Sequence, residues 1–236
     1  MFEEFERVLV VGAHPDDIDF GAAGTVACLT DASVYVAYCL VTDGDAGGFD
    51  PAVPREDIPA IRRAEQTAAA AFVGVNDLHF LGYPDGRVEV TLELRRDLSR
   101  VIRQTRPDLV ICQSPERYLD RIYASHPDHL ATGEATLCAV YPDARNPYAH
   151  PELLAEGWDA HRVREVWLTA HPDSDHYVDV TDAVDRKLSA LHAHESQHAD
   201  PAAMDARVRE WMTHTAEQAG LEHGRCAEAF RRIDTA

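Results

Sequence analysis

Short apolar runs recur along the chain and predict buried strands. The first, residues 7–13, is almost continuously apolar, as expected for a strand that is covered on both faces. Similar runs lie at residues 34–42, at Leu109–Gln113 and at residues 165–170, and a shorter one lies near residues 78–81. The pattern therefore predicts five strands spread through most of the chain.

Segments with helical patterning lie between and after these runs. The Ala-rich stretch Ile58–Phe72 is the clearest, and Gly74 follows it as a stop signal. The other predicted helices are residues 21–31, 92–104, 127–140, 181–194 and 201–218. Because strands alternate with helices, we expect an α/β fold with a mostly parallel sheet and helices on both faces.

Length and composition are those of an ordinary globular chain. A sequence of 236 residues, 45% of them hydrophobic, is long enough for one large α/β domain with a sizeable core. No linker or change of composition divides it. Residues 141–162 are rich in Pro and His and look like an irregular insertion.

The chain is strongly acidic, with 41 acidic against 22 basic residues and a net charge of −19. Such a surface repels phosphate backbones, so we expect no nucleic-acid partner. No apolar run reaches the length of a membrane span, and the amino-terminal segment lacks a secretory pattern. Five cysteines without a CxxC pair favour reduced thiols. We therefore expect a cytoplasmic protein with no membrane partner.

Three HPD tripeptides are the most informative local feature, and they begin at His14, His126 and His171. Each follows a predicted strand, as does the Gly-rich loop TDGDAGG at residues 42–48. Ligands of parallel α/β sheets bind beyond the carboxyl ends of the strands, so we expect the motifs to converge on one centre. Imidazole and carboxylate groups are ligands that zinc and similar divalent ions take in catalytic sites.

The first motif is extended by Asp17 to HPDD. Two adjacent carboxylates at a strand end do not easily face the same point. One can therefore bind a metal ion, while the other stays free beside it to activate a water molecule as a general base. The alternative is that the two aspartates cap the next helix.

The second motif is extended by His129 to HPDH. Pro127 suits the first position of a helix, which places His126 at the cap and His129 one turn on. Residues three apart share a helical face, so both imidazoles can face one pocket. One can ligate a metal ion while the other donates to an oxyanion or a leaving amine, and Asp128 can orient an imidazole.

Other histidines carry weaker signals. His171 and His176 of the third motif are interpreted as pocket-lining or structural residues. His194 and His198 are four residues apart on a predicted helix but lack the H-E-x-x-H form, which favours a surface or interface role.

Six segments together resemble a known family. They are VLVVGAHPDDIDFGAAGTVA, LVTDGDAGG, RRAEQTAAAAFVGV, FLGYPDGRV, RPDLVICQSPERYLDRIYASHPDHLATGEA and HYVDVTDAVDRKLSALHAHESQ. They are similar to the LmbE/PIG-L family of metal-dependent N-deacetylases over about residues 8–197. The resemblance implies a Rossmann-like α/β fold, a single deacetylase domain over residues 1–236, and hydrolysis of an N-acetyl group by a zinc or ferrous enzyme, usually on a glucosamine.

Carried over by motif, the resemblance implies a metal site and a base. His14, Asp17 and His129 correspond to the ligands of Zn²⁺, with Fe²⁺ as the alternative. Asp16 corresponds to the general base that acts on a metal-activated water.

The resemblance also implies a catalytic imidazole and a sugar site. His126 corresponds to the group that stabilises the oxyanion or protonates the amine, with Asp128 behind it. Arg63 of RRAE and Asp85 of YPDG resemble residues that hold sugar hydroxyls. Asp19 stands near the position where many members have Glu, and is a shortened equivalent.

The expected substrate is a small N-acetylated sugar or glycoconjugate, and the Ala-rich helices suggest a homo-oligomer. An amidase that acts on a larger thiol conjugate or an antibiotic is an alternative. A non-catalytic carbohydrate-binding protein is another. A ferrous oxygenase is disfavoured because we expect those enzymes in all-β sandwiches. A dinucleotide-binding enzyme is disfavoured because the first strand is followed by HPDD instead of G-x-G-x-x-G.

Overall fold

In the computed structural model, which describes Phe2 and residues 4–235, seven strands form one mixed sheet. The strands are β1 (Arg7–Gly12), β2 (Tyr35–Thr42), β3 (Asp77–Tyr83), β4 (Leu109–Gln113), β5 (Glu165–Thr169), β6 (His176–Asp179) and β7 (Ala227–Asp234). Their order in the sheet is β3-β2-β1-β4-β5-β7-β6. Strands β1 to β5 are parallel to one another, whereas β7 is antiparallel to both β5 and β6.

Strand β1 lies in the middle of the parallel part. Val8 is paired with Val36 of β2 on one side and with Leu109 of β4 on the other. These apolar and β-branched residues suit a strand that is buried on both faces. The carboxyl ends of β1 to β5 consequently meet at one edge of the sheet.

Seven α-helices complete the described part of the chain, apart from several 3-10 and π-helical segments. They are α1 (Asp17–Asp31), α2 (Ile58–Phe72), α3 (Leu92–Thr105), α4 (Pro127–Cys138), α5 (Pro151–Ala155), α6 (Val184–His192) and α7 (Pro201–Gln218). Helices α1, α2, α6 and α7 pack on one face of the sheet, through residues such as Ala22 and Leu188. Helices α3 and α4 pack on the other face through Leu98 and Ala135. The expected α/β fold with helices on both faces is confirmed.

Three predicted elements, α2, β4 and α7, have the predicted bounds. The predicted start of α1 at residue 21 was wrong, because the helix begins at Asp17. The HPDD motif therefore forms the helix start itself. Asp16 is the N-cap residue, but its side chain makes no capping hydrogen bond, so the expectation of two capping aspartates is not supported.

The prediction that two helices close the chain was wrong, because β7 follows α7. Its sequence AEAFRRID is poor in strand-forming residues and carries three charges between Ala227 and Arg232. Pairing with β5 and β6 overrides this weak local preference. Strand β6 was also missed, since it is only four residues long.

The segment 141–162, expected to be irregular, contains the short helix α5. The buried Arg103 of α3 orders its first part by donating to main-chain carbonyl groups of Asp143, Ala144, Asn146 and Ala149. None of the described helices is both long enough and apolar enough to cross a membrane. The cytoplasmic location stays a prediction.

Candidate metal centre and active site

The predicted motif residues gather at the carboxyl edge of the parallel strands. His14 to Asp17 follow β1, Asp85 follows β3, and α4 begins with the second HPD motif after β4. The middle of α4 packs against the end of β4 through a close approach at Gly133. A Cβ atom there would lie 2.4 Å from the carbonyl oxygen of Gln113, so a larger residue would push the helix away.

His14 lies at the centre of the cluster and faces three carboxylates. Its Nδ1 lies 3.1 Å from Asp17 Oδ2, and its Nε2 lies 3.1 Å from Asp85 Oδ1 and 3.2 Å from Asp128 Oδ2. Burial alone would lower the pKa of His14. The negative charge of Asp17 and the hydrogen bonds to Asp128, Asp17 and Asp85 raise that pKa to about 12. The pocket is therefore built to stabilise positive charge.

Asp17 joins two of the histidines. Its second oxygen, Oδ1, lies 3.1 Å from His129 Nε2. Burial would raise the pKa of Asp17, but His129 and His14 hold it well below its ordinary value. The structure thus brings together the three residues that were predicted as metal ligands.

His126 completes a group of three imidazoles. The ring centroids of His14, His126 and His129 lie 5.0 to 5.3 Å from one another. One nitrogen from each ring lies within 4.8 Å of the others, and His14, Asp85 and Asp128 satisfy the same limit. Imidazole nitrogens and carboxylate oxygens at this spacing fit a divalent ion such as Zn²⁺ or Fe²⁺.

The His126 ring is suited to donate a hydrogen bond from Nε2. It is the N-cap of α4, and its Nδ1 accepts a hydrogen bond from the backbone N–H of Asp128 at 3.2 Å. A neutral imidazole that accepts at Nδ1 carries its proton on Nε2. Burial, followed by the positive charges of His14 and His129, lowers the pKa of His126 and favours this neutral form.

The Asp128 carboxylate contacts His14, whereas the expectation placed it behind His126. It accepts hydrogen bonds from the backbone N–H groups of Gly86 at 2.7 Å and Val88 at 3.2 Å. Only its backbone N–H is bonded to His126. Asp128 therefore fixes the loop after β3 against His14.

Asp85 belongs to that same loop and is tied to the Gly-rich loop. Its Oδ2 accepts from the backbone N–H of Ala46 at 3.3 Å, and its own N–H donates to Asp45 Oδ1 at 2.8 Å. Arg63 lies farther out, paired with both oxygens of Asp43 at 2.8 and 3.0 Å. The structure thus places Asp85 against His14 but shows no contact of Arg63 with the histidines.

Asp16 adopts an unusual backbone conformation with φ of 90°. For a residue with a side chain this costs about 1–3 kcal/mol and requires support from the surroundings. Arg62 supplies part of it, with Nη2 3.2 Å from Asp16 Oδ2. Burial and the neighbouring charge of Asp17 raise the pKa of Asp16, against the opposing charge of Arg62.

The buried roles of several polar residues near Asp16 were not predicted from the sequence. Gln66 accepts from the backbone N–H of Asp16 at 2.9 Å and donates to Asp19 at 2.8 Å. His194 lies 2.9 Å from the same oxygen of Asp19 and is 0% exposed, so the predicted surface role of His194 was wrong. Arg62 and Gln66 share the buried face of α2 with Ala69 and Ala70, a 3.6-residue stripe that the sequence displays.

The histidines of the third HPD motif belong to neither of the two groups of potential ligand atoms found among the described residues. His171 Nδ1 accepts from the backbone N–H of Asp173 at 2.9 Å, and its Nε2 lies 3.5 Å from Glu116. His176 lies on β6 with its ring 4.3 Å from that of Trp167. The pocket-lining or structural role expected for the motif stays a prediction.

Comparison with known proteins places the chain in a family. The sequence model of PIG-L, described as GlcNAc-PI de-N-acetylase, matches residues 9–140. The chain belongs to the PIG-L family. The expected resemblance is confirmed, and this chain falls among N-deacetylases, a class of amide hydrolases.

Three similar proteins illustrate this membership. This chain is 33% identical to diacetylchitobiose deacetylase of Thermococcus kodakarensis, and the alignment covers 83% of this chain and 72% of that protein. It is 35% identical to a probable N-acetyl-alpha-D-glucosaminyl L-malate deacetylase 2 of Bacillus anthracis, with 82% of each covered. The structure of N,N'-diacetylchitobiose deacetylase from Pyrococcus horikoshii, bound to its inhibitor MPG, superposes with a TM-score of 0.90 at 30% identity, covering 99% of this chain and 85% of that one.

Proposed function

We propose that the protein is a zinc-dependent N-deacetylase that hydrolyses the acetamide of a GlcNAc-type amino sugar or glycoconjugate. The proposal is carried by one observation. At the carboxyl edge of the sheet, His14 and His129 lie within 3.2 Å of three carboxylates, and a nitrogen of His126 lies within 4.8 Å of a nitrogen of each of these two rings. Both curated relatives have names that denote acetamido-sugar substrates, and we extend that substrate class to this chain.

His14, Asp17 and His129 would hold the ion. A bound zinc ion polarises a carbonyl group and lowers the pKa of water, which is the chemistry that amide hydrolysis needs. Fe²⁺ suits the same donor set. We propose that one deacetylase domain covers residues 1–236, and the expected homo-oligomer stays a prediction.

The remaining residues of the cluster move protons and hold charge. Asp16 accepts a proton from the attacking water, since its carboxylate lies in the same loop as the ligands His14 and Asp17. His126 donates a hydrogen bond from Nε2 to the carbonyl oxygen of the acetamide as negative charge develops there. Collapse of the tetrahedral intermediate breaks the C–N bond and gives acetate, and the proton that Asp16 accepted passes to the leaving amine.

The adjoining cavity leaves room for a substrate larger than a monosaccharide. A cavity of about 700 Å³ is lined by the Gly-rich loop, including Phe49, and by Ile58, Ile61 and Gln197. Ala46, which also lines this cavity, donates its backbone N–H to Asp85, and Asp85 contacts His14, so the cavity adjoins the cluster. Sites for small molecules span about 300–1,000 Å³, so a disaccharide or glycoconjugate fits. An amidase for a larger thiol conjugate or an antibiotic is the second candidate on the same ground.

Acetate release from a panel of N-acetylated sugars, combined with metal analysis, tests the proposal. We expect turnover of a GlcNAc-containing disaccharide by protein that holds one zinc ion per chain. Asp16→Asn should keep the ion and lose at least about 100-fold in kcat, because the base is removed but the ligands are not. Full turnover by Asp16→Asn would contradict the assigned role. Sugar binding without acetate release would favour a carbohydrate-binding protein.

A further inference from the structure

Four polar side chains form a layer behind Asp16 and have no part in the proton transfers described above. Arg62 and Gln66 lie on α2, Asp19 lies on α1, and His194 follows the end of α6. All four side chains are buried. A buried polar group is costly unless it is paired, so the partners of these side chains are informative.

Gln66 connects the backbone of Asp16 to a buried carboxylate. Its Oε1 accepts from the Asp16 N–H at 2.9 Å, and its Nε2 donates to Asp19 Oδ2 at 2.8 Å. A backbone N–H only donates and a carboxylate only accepts, so one orientation of the Gln66 amide satisfies both. His194 Nε2, 2.9 Å from the same oxygen, fixes the Asp19 carboxylate.

Arg62 holds the other side of Asp16. Its Nη2 donates to the carbonyl oxygen of Pro15 and lies 3.2 Å from Asp16 Oδ2. The Gly-rich loop closes over the guanidinium, because a Cβ atom at Gly47 would lie 2.7 Å from Arg62 Nη1. This close packing leaves the guanidinium little room to turn away from Asp16.

Asp16 is thus held at its backbone N–H, at its carboxylate and at the carbonyl before it, and its φ of 90° is one that side-chain-bearing residues rarely adopt. Such conformations persist where the surroundings determine them. We propose that Arg62 and Gln66 are positioning residues that fix the Asp16 carboxylate, with Asp19 and His194 orienting Gln66. The inference rests on the proposed function, because it concerns the general base of that reaction.

Gln66→Met is the central test, since Met has nearly the same length and shape but makes neither hydrogen bond. We expect kcat to fall about 10–100-fold, with KM changed less than about threefold and zinc content unchanged. Gln218→Met, on the exposed end of α7, is the matched control and should behave as the unsubstituted protein. A kcat within about twofold of that protein, or a loss of turnover that only follows loss of zinc, would overturn the proposal.

Arg62 offers a test by conservative rescue. Arg62→Met should lower kcat to a similar extent, whereas Arg62→Lys should recover part of it, because an ammonium group can still donate to one of the two oxygens. Equal losses in both variants, with unchanged thermal stability, would show that the donated hydrogen bond is not what matters.

The order of the contacts predicts non-additive effects. Asp19→Asn should lower kcat less than Gln66→Met does, and the double variant should be no worse than Gln66→Met alone, because Asp19 acts through Gln66. Multiplied losses in the double variant would mean that Asp19 acts by another route.

Crystal structures of the variants provide a readout that needs no turnover. In Gln66→Met, and in Arg62→Met should the first variant not fold, we expect Asp16 to leave its positive φ or its carboxylate to move by about 1 Å. If this movement occurs in a protein that releases no acetate even when unsubstituted, the proposed function fails and the positioning role stands. If the unsubstituted protein is active and Asp16 stays in place in both variants, the positioning role fails.

Discussion

Lys187 is the only lysine of the chain, and its side chain is 0% exposed. Its Nζ donates to the carbonyl oxygen of Phe20 at 2.6 Å and lies 2.5 Å from Glu228 Oε1. Glu228 in turn accepts from the backbone N–H groups of Gly24 and Thr25 at 3.0 and 2.7 Å. The pair therefore joins α6 and β7 to the middle of α1, the helix whose first turn carries the HPDD motif.

Lys187→Met would leave Glu228 buried without its cation. Removing one partner of a buried ion pair costs about 3–5 kcal/mol, because the remaining charge is not compensated. A loss of this size is a large part of the roughly 5–15 kcal/mol by which such domains are stable. At about 2–4 °C per kcal/mol for a chain of this length, Tm should fall by about 6–20 °C.

Urea denaturation followed by circular dichroism measures the loss. Arg186→Met is the matched control on the same helix, because Arg186 is a partly exposed cation that pairs with Asp31 at 2.7 Å and donates to the carbonyl oxygen of Phe72 at 3.0 Å. Exposed ion pairs contribute about 1 kcal/mol or less. The double variant Lys187→Met/Glu228→Gln should be more stable than Lys187→Met, since no buried charge remains. A Lys187→Met loss no greater than that of Arg186→Met, or a further loss in the double variant, would refute this reasoning.

Two further predictions concern order and pH dependence. Arg103→Met removes the donor to several carbonyls in residues 143–149, so limited proteolysis should cut within residues 141–162 faster than in the unsubstituted protein; equal rates would contradict this. Burial and the charge of Arg232 lower the pKa of His176 in the folded protein. Neutral His176 therefore contributes fully to stability above the pKa of about 6.5 that it has in the unfolded chain, and this contribution is lost as the pH falls toward the lower pKa of the folded state. His176→Phe keeps a ring against Trp167, and its unfolding free energy should change less between about pH 7.5 and about pH 5.5; an unchanged pH dependence would contradict the assignment.

The parallel half of the sheet could be predicted because its strands are buried on both faces and read as continuous apolar runs. Val8 and Leu109, opposite each other in β1 and β4, come from two such runs. The antiparallel edge could not be predicted in the same way. Strand β7 buries residues such as Phe230 but has Glu and Arg between them, and its conformation depends on pairing with β5 and β6 rather than on local preference.

The meeting of the HPDD and HPDH motifs followed from topology alone, since both come after parallel strands. Which imidazole each carboxylate contacts did not follow from topology. Asp128 could be assigned to an imidazole, but that this is His14 depends on how the loop after β3 folds onto it through Gly86 and Val88. A sequence motif gives the order of chemical groups along the chain, whereas hydrogen-bond partners depend on distances set by the whole fold.

The neighbouring residues Arg62 and Arg63 show how part of the buried polar layer behind Asp16 could have been predicted from the sequence. Successive residues on a helix point about 100° apart, so only one of the two arginines can face the sheet. The stripe formed by Arg62, Gln66, Ala69 and Ala70 selects Arg62, and the side chain of Arg63 is accordingly 43% exposed. A charged residue on the apolar stripe of a helix needs a buried partner, and the adjacent HPDD loop supplies one. His194 offered no such signal, because its partner Asp19 lies 175 residues away and the end of α6 has no periodicity to place it.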